Sequence, residues 1–454
     1  MPDTERFDLI LIGSGTAAQT FLSNLDDGWM GKRIALIEER EPGGTCALRG
    51  CQPKKFLVEV ADAVARARML KGLGVAGDAR FDWKAMQRHK NEFLDGIPEE
   101  TVESLEEDGV EVVRGRAAFV DEDAVAVDGR RLAADHFIVA AGSRPRRLDL
   151  TASELVVDSS GFLDLEDLPD EVVFIGGGYI AMEFAHVAAR AGAAVTMLIR
   201  SGSVLSGFDP DCIDAVVAES REAGIDFRFH TTPEAMSPEG DGILIETGGG
   251  ETMRAKLVVE AVGRIPNTDR LDAETAGIEL DRGGAIVVDD RMRSVSNKRI
   301  IALGDIAAAG ADLAPVADIQ AKTAACHLMG DRTAAMDYRV VPTNAFTIPN
   351  LARVGLLEEE AGEKGADVRV SSGPVAGWAT SMRIGEKHGF YKVLIDDSTG
   401  EILGAHLARH AAAETINLFA LAMKQHVRAA EMGDLAWAYP TFSSDIKRMV
   451  KDSR

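Results

Sequence analysis

The sequence predicts an α/β protein: two domains built on the same plan of strand, glycine turn, helix and strand, followed by an α+β domain at the C-terminal side. Three observations carry this prediction. An apolar run ending in a glycine turn occurs at residues 7–18 and recurs at 172–181. Each of these segments closes on a similar phrase, FIVAAGSRP at 137–145 and LVVEAVGRIPN at 257–267. After about residue 331 the texture changes to alternating apolar runs such as Phe390 to Ile395 and a long apolar helix, Ala411 to Lys424. A chain of 454 residues also exceeds what one hydrophobic core supports, so several domains are expected.

In the first unit Phe7 to Ile12 reads as a strand, Gly13-Ser14-Gly15-Thr16-Ala17-Ala18 as a turn opening a helix, and Ile34 to Ile37 as a second strand ending in Glu38. That order is the Rossmann-like dinucleotide-binding pattern. Gly13 allows the tight turn, Gly15 lets the backbone approach a pyrophosphate at a helix N-terminus, and Ala18 stands where the third glycine packs helix on strand. Glu38 would hold adenosine ribose hydroxyls. In the second unit Val172 to Ile175 lead into Gly176-Gly177-Gly178-Tyr179-Ile180-Ala181, a helix runs to about Ala191, and Val195 to Ile199 form the next strand.

Two units imply two dinucleotides, or one dinucleotide and a relic. Seven residues after Gly31 comes Glu38, but seven after Gly192 comes Ile199, followed by Arg200. A cation in place of the ribose-binding acid suits a 2′-phosphate and favours NADPH over NADH; the alternative is that Arg200 is a solvated strand-end charge. A third strand-to-glycine phrase, RIIALGDIAA at 299–308, sets Asp305 where a carboxylate could take a hydroxyl-rich ligand tail. The domains are expected at 1–147, 148–268, 269–335 (a return into the first) and 336–454.

Composition narrows the partners. Acidic residues number 73 against 50 basic, a formal charge of −23, which repels phosphate backbones and anionic lipid and argues against nucleic acid. The opening MPDTERFDLILIGSG reaches a strand at once, without the parts of a signal peptide, and no apolar run spans a bilayer. The expectation is a soluble, cytoplasmic protein with no membrane contact. Four cysteines are too few for a disulfide-framed secreted fold.

Two of those cysteines, Cys46 and Cys51, lie in GGTCALRGCQPKK at 43–55. Residues five apart on an ideal helix have Cα atoms ~8.6 Å apart, beyond the ~7 Å a disulfide tolerates. Gly43, Gly44 and Gly50 supply bends, and Pro53 can start a fresh helical turn. Zinc is disfavoured because Cys212 and Cys326 stand alone without a paired His, so no metal site is expected. Two buried thiols or a redox-active pair remain, and Lys54 and Lys55 beside a helix start favour a thiolate.

Two nucleotide folds, GGTCALRGC between them and the late Gly304-Asp305 phrase resemble the flavoprotein disulfide reductases: glutathione reductase, dihydrolipoamide dehydrogenase, mercuric reductase and relatives. The resemblance covers nearly the whole chain. It implies FAD in the first fold, a nicotinamide coenzyme in the second and a C-terminal domain that forms a homodimer. It implies that Cys51 lies against the flavin as the charge-transfer thiol and that Cys46 attacks the substrate. Lys54 would face the flavin with Glu183 as its ion partner, Tyr179 would cover the nicotinamide pocket, and Asp305 would bind the ribityl chain. Gly44, Thr45, Lys55, Ala141, Gly142, Gly178, Ile180 and Gly263 join the expected cofactor contacts.

One segment departs from the resemblance. Disulfide-reducing members carry His-Pro-Thr with a Glu five residues after the His; here AYPTFSSDIK puts Tyr439 at the His position and Ser444 at the Glu position, with Asp445 next. Phenols ordinarily ionise about 3.5 units above imidazoles, roughly 4.8 kcal/mol in proton affinity, so Tyr439 can donate a hydrogen bond but does not shuttle protons as imidazole does. Three readings follow. Tyr439 acts as a weak acid aided by water or Asp445; His406 or His410 substitutes; or the acceptor is not a simple disulfide. The expected function is transfer of electrons from nicotinamide through flavin to the Cys46-Cys51 disulfide and on to a small-molecule or protein disulfide. The alternatives are reduction of a quinone or metal ion, or a non-catalytic redox sensor. Against metal reduction, no cysteine follows Cys326 in this sequence.

Overall fold

A computed structural model describes residues 4–150, 155–365 and 367–451. The first and last three residues of the sequence, which entered the reading of both chain ends, lie outside that description. The chain divides into two compact units, one of Met1–Lys54, Arg88–Arg146 and Arg264–Tyr338, the other of Lys55–Gln87, Arg147–Gly263 and Arg339–Arg454.

In the first unit the strand Thr4–Ile12 is flanked in parallel by Ile34–Glu38 on one side and Arg130–Val139 on the other. Val110–Arg114 extends the sheet beyond Ile34–Glu38, and Ile300–Ala302 joins Arg130–Val139. Leu9, Ile10 and Leu11 are all buried although consecutive side chains alternate faces, because helices cover both sides of a parallel sheet. Thus the apolar run is continuous rather than alternating. The helix Thr16–Ser23 packs on the helix Ala314–Leu328, with Thr20 Oγ1 donating to Asp318 at 2.6 Å.

The second unit repeats the plan: Glu171–Ile175 is flanked in parallel by Ala194–Ile199 and Leu257–Glu260, and the helix Tyr179–Ala191 follows the glycine turn. Both units add antiparallel strands to this core, Ala118–Asp121 and Ala124–Val127 in the first and the meander from Pro233 to Ala255 in the second. The two similar closing phrases contribute strands to one ladder, Arg264–Pro266 running antiparallel to Ser143–Pro145. The alternating C-terminal runs form a five-stranded antiparallel sheet, with Leu351–Gly355, Ile402–Ala408 and Phe390–Asp396 at its centre and the helix Ala412–Lys424 packed against it.

Residues 55–87 pack with the second unit. Leu57, Val58, Ala61 and Ala65, on one face of the helix Cys51–Met69, are buried with Phe162, Phe174 and Phe184, and Trp83 Nε1 donates to the Leu165 carbonyl at 2.9 Å. Among the described residues no helix is long and apolar enough to cross a membrane.

Candidate active site

Both glycine turns are built on one geometry. Gly13 N–H donates to Ile37 O and Ala140 N–H to Ile12 O; in the second unit Gly176 N–H donates to Leu198 O and Ala261 N–H to Ile175 O. A Cβ on Gly13 would lie 2.5 Å from Ala140 O, and one on Gly176 would lie 2.3 Å from Ala261 O, both at positive φ. The helices that follow start at Gly15 and Gly178 without a side-chain cap, so their first N–H groups stay available to an anion. Ala18 is fully buried at the first helix, as a small residue at that contact must be. Ile180 lies half-buried in the first turn of the second helix. Ala141 and Gly142, past the end of Arg130–Val139, use their carbonyls to accept from Asn267, while Gly263 occupies the equivalent place after Leu257–Glu260.

Glu38 accepts from Ser14 N at 3.0 Å and Ser14 Oγ at 2.7 Å, tying the strand-end carboxylate to the turn. Asp305 accepts from Ser143 Oγ at 2.6 Å and lies 3.9 Å from the Arg264 guanidinium. Gly44 meets Gly15 so closely that a Cβ on Gly44 would sit 2.3 Å from Gly15 Cα. The residues present therefore fit a dinucleotide in the first unit: an open helix N-terminus, a backbone cradle that a Cβ would fill, and carboxylates at Glu38 and Asp305.

The helix Gly44–Arg49 carries exposed Thr45 in its first turn and stops at Gly50, where the backbone leaves the helical region (φ −142°, ψ −110°) before Cys51–Met69 resumes. A side chain at Gly50 would press Thr45 O at 2.9 Å. This break removes the separation that an unbroken helix would impose on Cys46 and Cys51. Both stand as thiols, Cys46 half-buried and Cys51 exposed. The Cys46 thiol bonds to the Cys51 sulfur, and that neighbour, with burial, pushes Cys46 far above the usual thiol range. Thr16 and the Cys51 N–H hydrogen-bond to Cys46 and partly oppose the rise.

Lys55 Nζ bonds the Glu183 carboxylate at 3.0 Å. The Lys55 ammonium lies 3.3 Å from the Phe346 ring centroid, and Phe346 N–H donates to the other oxygen of buried Glu183 at 2.9 Å. Lys54 is half-buried one residue earlier, at the end of the first unit's segment. Tyr179 is half-buried in the first turn of its helix, with its ring 5.6 Å from that of Phe208; burial pushes its phenol up to about 12, so it remains protonated. Arg200 is exposed at the end of Ala194–Ile199.

Sequence spacing missed His230, whose ring would lie 3.0 Å from a Cβ at Gly202, in the loop just past Arg200. It arrives from the neighbouring strand Ile225–Phe229, thirty positions along the chain, so local spacing held no signal for it.

Residues 7–321 match the family described as pyridine nucleotide-disulphide oxidoreductase, and 341–450 match the dimerisation domain of that family. The chain belongs to the pyridine nucleotide-disulphide oxidoreductases. It is 31% identical to the chloroplastic/mitochondrial glutathione reductase of Pisum sativum, covering 99% of this chain and 83% of that protein. It is 29% identical to a mercuric reductase of Staphylococcus aureus, covering 97% and 81%. The HOCl-induced flavoprotein disulfide reductase RclA of Escherichia coli, solved as a Cu(II) complex, superposes with a TM-score of 0.89 at 27% identity over 98% of this chain and 99% of that one. As a member of that family it is an FAD-dependent pyridine nucleotide-disulphide oxidoreductase.

Within this pyridine nucleotide-disulphide oxidoreductase, the structure narrows the readings of the C-terminal segment. Tyr439 is 85% exposed. Asp445 cannot assist it, because the carboxylate is buried and accepts from Arg409 Nη2 at 2.7 Å and from the Thr380 hydroxyl. Ser444 is spent locally, its hydroxyl donating to Thr441 O at 2.6 Å. His406 is no substitute base: it is fully buried in the strand Ile402–Ala408 with Nε2 2.9 Å from Leu356 O, and burial lowers its pKa to about 4. His410 is half-buried with its ring against Phe442 at 4.9 Å, and burial lowers it as well. Both are therefore neutral at pH 7.

The His406 shift has a pH signature. The unfolded chain takes the proton near the usual 6.5, but the folded ring refuses it until about pH 4, so native stability declines as pH falls through that window. The expected loss is roughly 3 kcal/mol. His406→Gln keeps a donor for Leu356 O and should flatten this part of the slope in denaturant melts run between pH 7 and 4; an unchanged slope would rule His406 out as its source.

Proposed function

We propose that this oxidoreductase carries electrons from NADPH to the Cys46-Cys51 pair and on to a small-molecule or protein disulfide. The domains are taken as an FAD-binding segment at 1–147 and 269–335, a nicotinamide-binding segment at 148–268 and an interface domain at 336–454, acting as a cytoplasmic homodimer. The observation that carries the reading is the interrupted helix at Gly50, which lets two cysteines five apart share one charge beside the first glycine turn.

When bound, FAD supplies two-electron chemistry, accepting a hydride from nicotinamide and reducing the disulfide. The thiol steps belong to this chain. Cys46 gives up its proton and attacks one substrate sulfur, forming a mixed disulfide and expelling the first thiolate. Cys51 thiolate then attacks the Cys46 sulfur, closing the Cys46-Cys51 disulfide and expelling the second. The first leaving thiolate takes up the Cys46 proton and the second takes one from water. Tyr439 can hydrogen-bond a leaving sulfur but supplies no imidazole-like relay, so a turnover slower than that of relatives with the His-Glu pair is expected. Exposed Met382, Leu421, Leu435 and Tyr439 on the domain matched to dimerisation support the homodimer.

For the coenzyme, Arg200 at the strand end is a cation suited to a 2′-phosphate, with the His230 ring against the loop that follows. Arg200→Gln should lower the ratio of kcat/KM for NADPH over NADH by about tenfold or more, the scale of one charge-assisted contact to phosphate. A ratio that does not move would return Arg200 to a solvated charge. The reading as a whole is tested by anaerobic titration with NADPH while following the visible spectrum. A long-wavelength band after two electrons is expected from Cys51 thiolate beside oxidised flavin. Bleaching without that band would uncouple the cysteines and favour quinone reduction or a sensor.

A further inference from the structure

The loop at residues 200–209 runs along one side of the second glycine turn. Leu205 N–H donates to Gly177 O at 2.7 Å, and Val204, Leu205 and Phe208 are almost fully buried. Leu205 and Gly207 both sit at positive φ, at 49° and 101°, giving the loop its bends. One end carries Arg200 and, at Gly202, the His230 ring, the middle touches the turn, and the other end sets the Phe208 ring against Tyr179. Asp209 then caps the next helix, accepting from Asp211 N and Cys212 N.

This loop is held by a sheet from a different part of the sequence. In the C-terminal sheet Arg353 pairs with His406 and His406 with Lys392, a row across three adjacent strands whose members share one face. At one end of the row Arg353 Nη1 donates to the Gly207 carbonyl. At the other, Lys392, only 7% exposed, pairs with Asp209 at 2.8 Å, Asp211 at 2.7 Å and Glu358 at 3.1 Å. Between them stands neutral His406, whose lack of charge spares the row a third adjacent cation. The Arg353 charge also acts on the Tyr179 phenol, against the effect of burial.

We propose that Arg353 and Lys392 are positioning residues for the nicotinamide coenzyme: from the interface domain they anchor the 200–209 loop and so set Phe208 and Tyr179 over the groove of the second glycine turn. This rests on the reading of that groove as the nicotinamide site. Arg353 fixes the Gly207 carbonyl through one charge-assisted bond and Lys392 fixes Asp209 two residues on, so Phe208, between the two anchors, has both neighbours held from the same sheet. Loss of either anchor frees the segment that packs on Tyr179, while flavin content and the disulfide-facing thiols stay as they are.

The test is a rapid-reaction measurement of flavin reduction by NADPH in the flavin-loaded enzyme. Arg353→Gln is expected to raise the Kd for NADPH about tenfold, the worth of one charge-assisted hydrogen bond, with the KM for the disulfide acceptor unchanged. Arg353→Lys, which keeps a cationic donor, should recover most of the affinity. A lower Tm with an unaltered Kd in Arg353→Gln would make the anchor merely structural and overturn the proposal. Phe208→Ala separates the two layers of inference. If it raises Kd and Arg353→Gln does not, the anchoring proposal fails; if Phe208→Ala also leaves Kd unmoved, the coenzyme reading of the groove fails with it.

Discussion

Cys46→Ser is expected to reduce disulfide turnover by roughly 10³-fold or more, the scale of removing a reacting nucleophile, while sparing reduction of a quinone, which needs no sulfur exchange. Cys51→Ser should be equally inactive toward disulfides but leave a different trace. Cys46 still attacks the substrate and nothing remains to resolve the adduct, so a stable mixed disulfide should accumulate on Cys46 and be found by mass spectrometry after reaction with a disulfide substrate. The pair is worth making because exposure alone points the other way: Cys51 is the more exposed sulfur, and Cys46 is half-buried. Charge separates them. The Cys51 neighbour and burial raise the Cys46 thiol, in line with the thiolate that the resemblance sets on Cys51 against the flavin. An adduct trapped on Cys51 in the Cys46→Ser protein, with none in Cys51→Ser, would exchange the two roles. Equal loss of quinone and disulfide reduction in Cys46→Ser would remove the cysteines from the route altogether.

The second large effect is a contrast between two glycines of identical geometry. Gly13→Ala and Gly176→Ala each drive a Cβ into a backbone carbonyl, of Ala140 and of Ala261, at a φ of +99° or +125° that L side chains rarely adopt. The neighbour is backbone, so relief comes only by shifting the turn and the helix N-terminus behind it. A displacement near 1 Å can cost about 100-fold in binding or rate. Gly13→Ala should therefore be purified largely without flavin. Gly176→Ala should keep its flavin and lose NADPH affinity by about 100-fold, read as the Kd for flavin reduction. Loss of flavin from both variants would mean that the second turn serves the stability of the whole chain rather than a coenzyme of its own.

Legibility in the sequence followed the range of the interaction. The strand ends at Ile12 and Ile175, the helix end at Ala191, the break between Cys46 and Cys51, and the C-terminal antiparallel sheet follow from short-range rules: apolar runs, glycine where φ must be positive, and period-two alternation. Even the acid at Glu38 and the cation at Arg200 were legible, because a strand of known length delivers its last residue to a known edge. Less was legible where direction in space decides. The rotation of the helix Cys51–Met69 about its axis, set by burial of Leu57, Val58 and Ala61, aims Lys55 at Glu183. Asp445 looked free beside Tyr439, yet buried Arg409, just past the strand Ile402–Ala408, claims it.

By itself, then, the sequence determined the repeated nucleotide-binding plan, the cysteine pair and the chemistry available to it, since these depend on residue type and local spacing. Tertiary structure alone decided that Lys55 meets Glu183, that His406 is a neutral core residue, that His230 approaches the loop after Arg200, and that Arg353 and Lys392 hold that loop from the C-terminal sheet. Those outcomes depend on strand register and helix rotation, through which packing brings together side chains separated by as many as 183 positions, from Asp209 to Lys392.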